Sequence, residues 1–203
     1  MRPDAIIGFV PNGNFINIAT IIARYFSLVR EVEGKGATVP FPGPEYSWKL
    51  LNHDTSQDIL ARFAIHASLH PEETTGQHYN IANNPTPGSW ETKWPLVTEY
   101  FGLKGVGPVE RDHPLMDPVA YVEKHAGRFA EIQEKYGLES EVQERPPIQL
   151  SYEALGALKR DRTLSLAKAH ALWGERTETG DVKSAWWTAL ERMKAARQIP
   201  DFE

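Results

Sequence analysis

The pattern of apolar and polar positions predicts short strands alternating with longer helices. An apolar run over residues 5–10 is closed by a proline–asparagine–glycine turn, which is typical of a buried strand. Asn14 or Asn17 can cap the helix that follows, which runs to about Val32. Its apolar positions form more than one stripe, so this helix is expected to be buried on two sides.

The same periodicity predicts the remaining elements. They are an edge strand or loop over 38–43, a helix over 54–69, a strand over 78–82, a helix over 89–101, a loop over 106–117, a helix over 117–136, and two last helices over 164–172 and 185–196. Asp54 is interpreted as the N-cap of the second helix and Pro95 as lying in early turns that tolerate proline. The fold class is therefore helix-rich α/β with few strands, and residues 1–203 are treated as a single domain.

Composition narrows the possible partners. The chain has 203 residues, of which 41% are hydrophobic and 24% charged, which is typical of a folded domain. A net charge of −5 argues against nucleic acid, because phosphate contacts need a basic face. The sequence has no cysteine, no signal peptide and no apolar run long enough to span a membrane, so we expect a cytoplasmic protein without a membrane partner.

Motifs for cofactors and metals give mostly structural interpretations. The glycine-rich stretch 102–108 follows a predicted helix, whereas a dinucleotide fingerprint follows a strand, so it is interpreted as a turn. Tyr100 and Lys104 have Tyr-x-x-x-Lys spacing, but Gly102 between them breaks the helix and makes the match coincidental. His66 and His70 share a helix face without an evident third ligand, so no metal is expected.

Several stretches, taken in order, resemble one enzyme family. They are RPDAIIGF at 2–9, VPFPG at 39–43, Trp48 followed by DTSQD at 54–58, YNIA at 79–82, WP at 94–95 with YFGL at 100–103, LAKA at 166–169 and RMKAAR at 192–197. Together they resemble the C-terminal half of progesterone 5β-reductase and iridoid synthase-like enzymes. These are extended short-chain dehydrogenase/reductases with many relatives in fungal secondary-metabolite clusters. The resemblance covers nearly the whole chain and is weakest over 109–147.

The resemblance implies a substrate-binding half without its nucleotide-binding half. In that family the NADPH fingerprint and the catalytic lysine and tyrosine precede the strand that here holds Arg2 and Pro3, so none of them can be carried over. It also implies a pocket wall formed by residues 12–16 and the helix after them. A buried parallel strand normally has neighbours on both sides, so we expect a homodimer to cover the orphaned sheet edge and the first helix.

Three functions are compatible with this interpretation. The first is a cofactor-independent enzyme of secondary metabolism that folds a hydrophobic terpene- or polyketide-like substrate for a [4+2] cyclisation of Diels–Alder type, or for an isomerisation. The second is a fragment of an NADPH-dependent enone reductase that needs a partner half. The third is a non-catalytic binding protein.

The candidate residues for such a site are hydrogen-bond donors and apolar residues that line the pocket. One of the donors, His53, is in addition a candidate general base. The proposed hydrogen-bond donors are Asn12, Asn14 and His53, and the proposed substrate contacts are Phe15, Ile16, Tyr25, Phe26, Trp48, Trp90 and Trp94.

Overall fold

The strands are short and lie early in the chain. The computed structural model describes residues 1–11, 16–139, 146–174 and 181–202. Within these ranges six strands form three parallel pairs, β1 with β5, β2 with β4 and β3 with β6. Their bounds are β1 Arg2–Pro3, β2 Ala5–Ile7, β3 Thr38–Pro40, β4 Asp54–Ser56, β5 Asn80–Ile81 and β6 Lys104–Val106.

Helices account for about half of the described residues. They are α1 Ile18–Glu33, α2 Glu45–Lys49, α3 Gln57–Leu69, α4 Pro71–Thr74, α5 Trp90–Tyr100, α6 Pro118–Lys124, α7 Gly127–Tyr136, α8 Tyr152–Gly156, α9 Ala167–Trp173 and α10 Val182–Ala195. The helix-rich α/β class with few strands is therefore confirmed. The long helices were predicted, whereas β6 and the short helices α2, α4 and α8 were not.

Helix α1 is the centre of the core. The Asn17 side chain accepts from the main-chain N–H groups of Ala19 and Thr20, at 3.0 and 3.3 Å, which confirms it as the N-cap. The predicted burial on two sides is also confirmed, because Ala19 and Leu28 point to opposite faces of the helix and both are fully buried. Helices α6, α7 and α10 of the same chain pack against α1.

The interpretation of Asp54 as a helix cap is wrong. Ser56 is the N-cap of α3, and its hydroxyl accepts from the main-chain N–H of Ile59 at 3.3 Å. Asp54 instead lies in strand β4, which pairs with β2 in the register of Ala5 with Asp54. A pattern of capping residues cannot distinguish the two positions, because the pairing partner of β4 lies about fifty residues earlier in the chain.

Two further predictions are corrected in detail. The predicted helix over 117–136 divides into α6 and α7, and the second begins at Gly127, a poor helix former. Pro95 lies inside α5 beyond its first turn, not at the tolerant start. The Thr98 hydroxyl donates to the carbonyl oxygens of Trp94 and Pro95, both at 3.0 Å.

Among the described residues, two groups of apolar side chains fill the interior. The larger group surrounds α1 and joins it to α5 and α10 through Phe26, Trp94 and Trp186. The smaller group holds α3 and α9 against β5 and is centred on Phe63 and Ile81. Strand β2 adds Ile7 to the larger group, so the end of this strand is fixed to the core.

Candidate functional site

The carboxyl end of β2 is where a parallel strand turns into a helix, which is the usual position of ligand sites in such folds. The predicted strand continues to Val10, but the ladder stops at Ile7. Beyond it, the main-chain N–H of Phe9 donates to Gln57 Oε1 at 2.6 Å, and Asn17 Nδ2 donates to the Gly8 carbonyl at 2.9 Å. A Cβ at Gly8 would lie 2.1 Å from Gln57 Oε1, so glycine leaves room for the Gln57 side chain beside residues 8–11, which form the exit of β2.

Part of the predicted pocket wall lies at this end. Asn12, Asn14 and Phe15 fall outside the described residues, so their proposed roles stay predictions. Ile16 is 68% exposed and directly precedes the cap of α1. An exposed apolar side chain therefore precedes Asn17, which bonds the main chain after the strand at Gly8.

His53 does not offer a free ring nitrogen. It is 2% exposed, its Nδ1 accepts from the main-chain N–H of Leu164 at 3.1 Å, and its Nε2 lies 3.2 Å from the carbonyl oxygen of Pro85. The acceptor role of Nδ1 assigns the proton to Nε2, which then donates to Pro85. This geometry corrects the expectation of a catalytic donor or base, because both nitrogens are used to join two loops to β4.

A buried ion pair beside His53 was missed by sequence reasoning. Lys93 Nζ lies 2.8 Å from Asp54 Oδ1, and the two side chains are only 2% and 5% exposed. Lys93 also donates to Asn52 Oδ1, and Trp186 Nε1 donates to Asp54 Oδ2 at 3.2 Å. The available signal was a lysine inside the apolar stripe of α5. The pair joins β4, α5 and α10 and has no solvent-facing group.

The aromatic residues predicted as substrate contacts do come together, but as packed core. The rings of Phe26 and Trp94 lie 4.8 Å apart, and Tyr25 and Trp90 extend the same cluster at 5.7 and 6.0 Å. Tyr25, Phe26 and Trp94 are at most 1% exposed. These three side chains are enclosed by other residues of the chain, and their contact with a substrate stays a prediction.

Trp48 and Trp90 sit at the margin of this aromatic cluster. Both lie close to Phe41, with ring centroids 5.2 and 5.8 Å from it. Trp48 is 6% exposed, and Trp90 is only partly buried. For these two residues substrate contact stays a prediction.

The glycine-rich stretch does not fit a dinucleotide. Gly102 ends α5 with a φ of 65°, and Gly105 lies in β6. A Cβ at Gly105 would lie 2.9 Å from the Pro95 Cα, so this glycine serves the close packing of the strand on the helix. The order is helix to strand, whereas a phosphate-binding turn runs from strand to helix.

The Tyr100 and Lys104 pair has no reductase geometry. The Tyr100 hydroxyl donates to Glu191 Oε1 at 2.9 Å, while Lys104 lies in β6. Burial, together with the Glu191 carboxylate, raises the pKa of Tyr100 well above its ordinary value. Tyr100 is therefore held in its neutral form.

His66 on α3 and His70, the residue directly after this helix, stack on each other with ring centroids 4.1 Å apart. His70 Nδ1 lies 2.8 Å from the carbonyl oxygen of His66. No group of three or more candidate metal ligands occurs in the described ranges.

The helices of the described ranges are too short or too polar to span a membrane.

Comparison with known proteins gives the family. The family model described as PRISE-like Rossmann-fold domain matches residues 1–200, nearly the whole chain. The chain belongs to this family. The match agrees with the parallel pairing of all three strand pairs.

Similar proteins include fungal short-chain dehydrogenases. The chain is 34% identical to the short chain dehydrogenase sirR of Leptosphaeria maculans, an alignment of 215 residues that covers 100% of this chain and 52% of that protein. It is 31% identical over 200 residues to sirQ of the same organism, which covers 98% and 49%. A 3-oxo-Delta(4,5)-steroid 5-beta-reductase of Arabidopsis thaliana is 26% identical over 106 residues, 52% of this chain and 26% of that protein. The chain thus spans about half the length of sirR and sirQ.

Proposed function

We propose that this chain is the substrate-binding half of a short-chain dehydrogenase of fungal secondary metabolism. The observation that carries the proposal is the alignment of the entire chain with about half of a short-chain dehydrogenase. Among the described residues no G-x-G-x-x-G turn leads from a strand into a helix, and the proposal therefore assigns the nucleotide to another half. Hydride chemistry then requires both halves.

The substrate class is a hydrophobic molecule with a conjugated carbonyl group. Ile16 presents an exposed apolar side chain at the carboxyl end of β2, where ligands of parallel folds bind. One relative carries a 3-oxo-Δ4 steroid in its name, which is a hydrophobic enone. Progesterone, a 3-oxo-Δ4 steroid, is therefore a reasonable first probe.

The role of the chain's own residues is binding and orientation. The Tyr100 proton is held in the hydrogen bond to Glu191, and His53 has both ring nitrogens occupied, so the proposal gives neither residue the role of proton donor in a reduction. Gln57 and Asn17 hold the main chain at the exit of β2, where the proposal places the substrate.

Calorimetry and complementation test the proposal. We expect the purified chain to bind progesterone but not NADPH, and to oxidise NADPH with an enone only after the N-terminal half of sirR is added. NADPH binding by the chain alone, at micromolar strength, would show that a nucleotide site exists within it and overturn the proposal. Absence of progesterone binding would remove the proposed substrate class.

A second candidate is the cofactor-independent cyclase or isomerase. It is favoured by the core, because α1 is covered on its sides by helices of the same chain and needs no second half for burial. Such an enzyme would hold a linear diene in a reactive conformer, and orientation of this kind can contribute up to roughly 7–11 kcal/mol to a barrier. Incubation with linear polyene precursors in buffer free of nucleotide should then yield cyclised product. Unchanged rates in variants Asn12→Ala and Asn14→Ala would exclude these two donors.

A further inference from the structure

Gln198 joins the C-terminal end of the chain to the exit of β2. Its Nε2 donates to the carbonyl oxygens of Val10 and Pro11, at 2.8 and 3.0 Å, across almost the whole sequence. The side chain belongs to a residue that is only 7% exposed. One buried amide therefore fixes two successive carbonyl groups directly after Phe9, which Gln57 already holds.

The turn that aims this side chain is unusual. Arg197 has a φ of 54°, the one positive value among non-glycine residues of the described ranges. The main-chain N–H of Gln198 donates to the Met193 carbonyl at 2.9 Å, and that of Arg197 donates to Lys194 at 2.9 Å, the bonds of a Schellman motif. Glycine normally occupies the left-handed position, so an arginine here accepts strain to keep the turn.

The strained backbone at Arg197 is stabilised by contacts with Glu139, which lies outside α10. Its guanidinium pairs with Glu139, and its carbonyl oxygen accepts from the main-chain N–H of Glu139 at 2.9 Å. The turn is thereby held by the segment after α7 as well as by α10. The direction of the Gln198 side chain is fixed before any substrate arrives.

The side-chain amide of Gln198 donates hydrogen bonds but accepts none from the described residues. Gln198 Oε1 is buried, and no hydrogen-bond partner for it occurs in the part of the chain that the structure describes. A buried acceptor without a partner costs stability, so general stabilisation does not explain why an amide is placed here. The Nε2 group, in contrast, holds the carbonyl groups of Val10 and Pro11 in place.

We propose that Gln198 is a positioning residue for the substrate site at the carboxyl end of β2. It fixes residues 10 and 11 from the C-terminal side, while Asn17 and Gln57 fix Gly8 and Phe9 from α1 and α3. The inference rests on the proposed function, because it assigns the substrate to this end of the strand. Preorganised supports of this kind lower the ordering cost of binding.

Gln198→Met tests the inference, because methionine keeps the volume and removes the donor. We expect hydrogen exchange in peptides covering residues 5–11 to be about tenfold faster, and the Kd for progesterone to rise by about tenfold through loss of preorganisation. The urea midpoint should stay close to that of the parent chain, since the variant also removes the unpaired acceptor. Gln77→Met is the matched control, because Gln77 is exposed and its side chain accepts a surface hydrogen bond from Lys168.

The outcomes separate this inference from the proposed function. Unchanged exchange at residues 5–11 overturns it, and so does faster exchange with an unchanged Kd. If the parent chain itself does not bind progesterone, the proposed substrate class fails and the positioning role fails with it. Should Gln198→Met not fold, Gln198→Asn keeps an amide but is too short to reach the carbonyls, and the same exchange and Kd criteria apply.

Discussion

The ammonium group of Lys93 is the most deeply buried cation described in this protein, with a side chain 2% exposed. It lies between Asp54 Oδ1 and Asn52 Oδ1, and Trp186 satisfies the second oxygen of Asp54. Each charge is thus compensated by a partner from a different element. A buried pair of this kind contributes little net stability while it is intact, but it is costly to break.

Lys93→Met is expected to destabilise the chain by about 3–5 kcal/mol, because it leaves the Asp54 carboxylate buried without its counter-charge. Urea unfolding followed by tryptophan fluorescence measures the effect. Adding Asp54→Asn to the variant should recover part of the loss, since no lone charge remains. Lys49→Met is the control, because its pair with Glu45 is exposed and should matter little. Equal midpoints for the two lysine variants would contradict the role of the buried pair.

Element by element, the sequence predicted long helices well and short pieces poorly. Asn17 was recognisable as a cap and α1 as a helix buried on two sides, because both signals are local. Strand β4 and the cap at Ser56 were missed, since a three-residue strand exists only through its pairing with β2. The sequence alone also allowed His53 to be interpreted as a candidate base, because the partners of its ring, Pro85 and Leu164, are distant in sequence.

The docking of α7 on α1 gives a pH-dependent prediction. Burial opposes ionisation of Glu31, but the hydrogen bonds from Lys135 and Tyr136, at 2.8 and 2.5 Å, outweigh it and lower its pKa. A lowered carboxyl pKa means that the folded state binds protons less readily than the unfolded one. The stabilisation is therefore complete above the ordinary glutamate pKa of about 4.3 and is lost as the pH falls through the lowered value.

Glu31→Gln should remove this dependence. We expect a small loss of stability at pH 7 and a shallower decline of unfolding free energy between about pH 5 and pH 3 than in the parent chain. Urea titrations at a series of pH values measure both effects. Glu131→Gln, on the exposed side of α7, is the matched control. A parallel decline in the Glu31 variant and the parent would show that the helix contact does not titrate.

At the scale of the whole molecule, strand β2 carries an exposed apolar side chain. Ile6 lies in this strand and is 47% exposed, although strands of parallel sheets are usually covered on both faces. In the described ranges β2 pairs with β4 alone. Because α1 is already covered within the chain, only the strand still favours the predicted homodimer.

Ile6→Lys tests that dimer. We expect the parent chain to sediment as a dimer at micromolar concentration and the variant as a monomer, because a buried lysine would cost the interface its apolar contact. Ile65→Lys is the control, since Ile65 is 62% exposed and belongs to α3 and not to the strand. A monomer at all concentrations, or a dimer that survives Ile6→Lys, would refute self-association through β2.

The sequence by itself determined the class of fold, the long helices with the Asn17 cap, and the resemblance to the reductase family, because these depend on local periodicity and on short ordered motifs. Only the tertiary structure decided what the polar residues do. In the folded chain His53 joins two loops, Asp54 forms a buried ion pair with Lys93, and Gln198 donates to the main chain at the exit of β2. Such roles depend on partners far away in the chain, and the burial that gives them their energy exists only in the folded state.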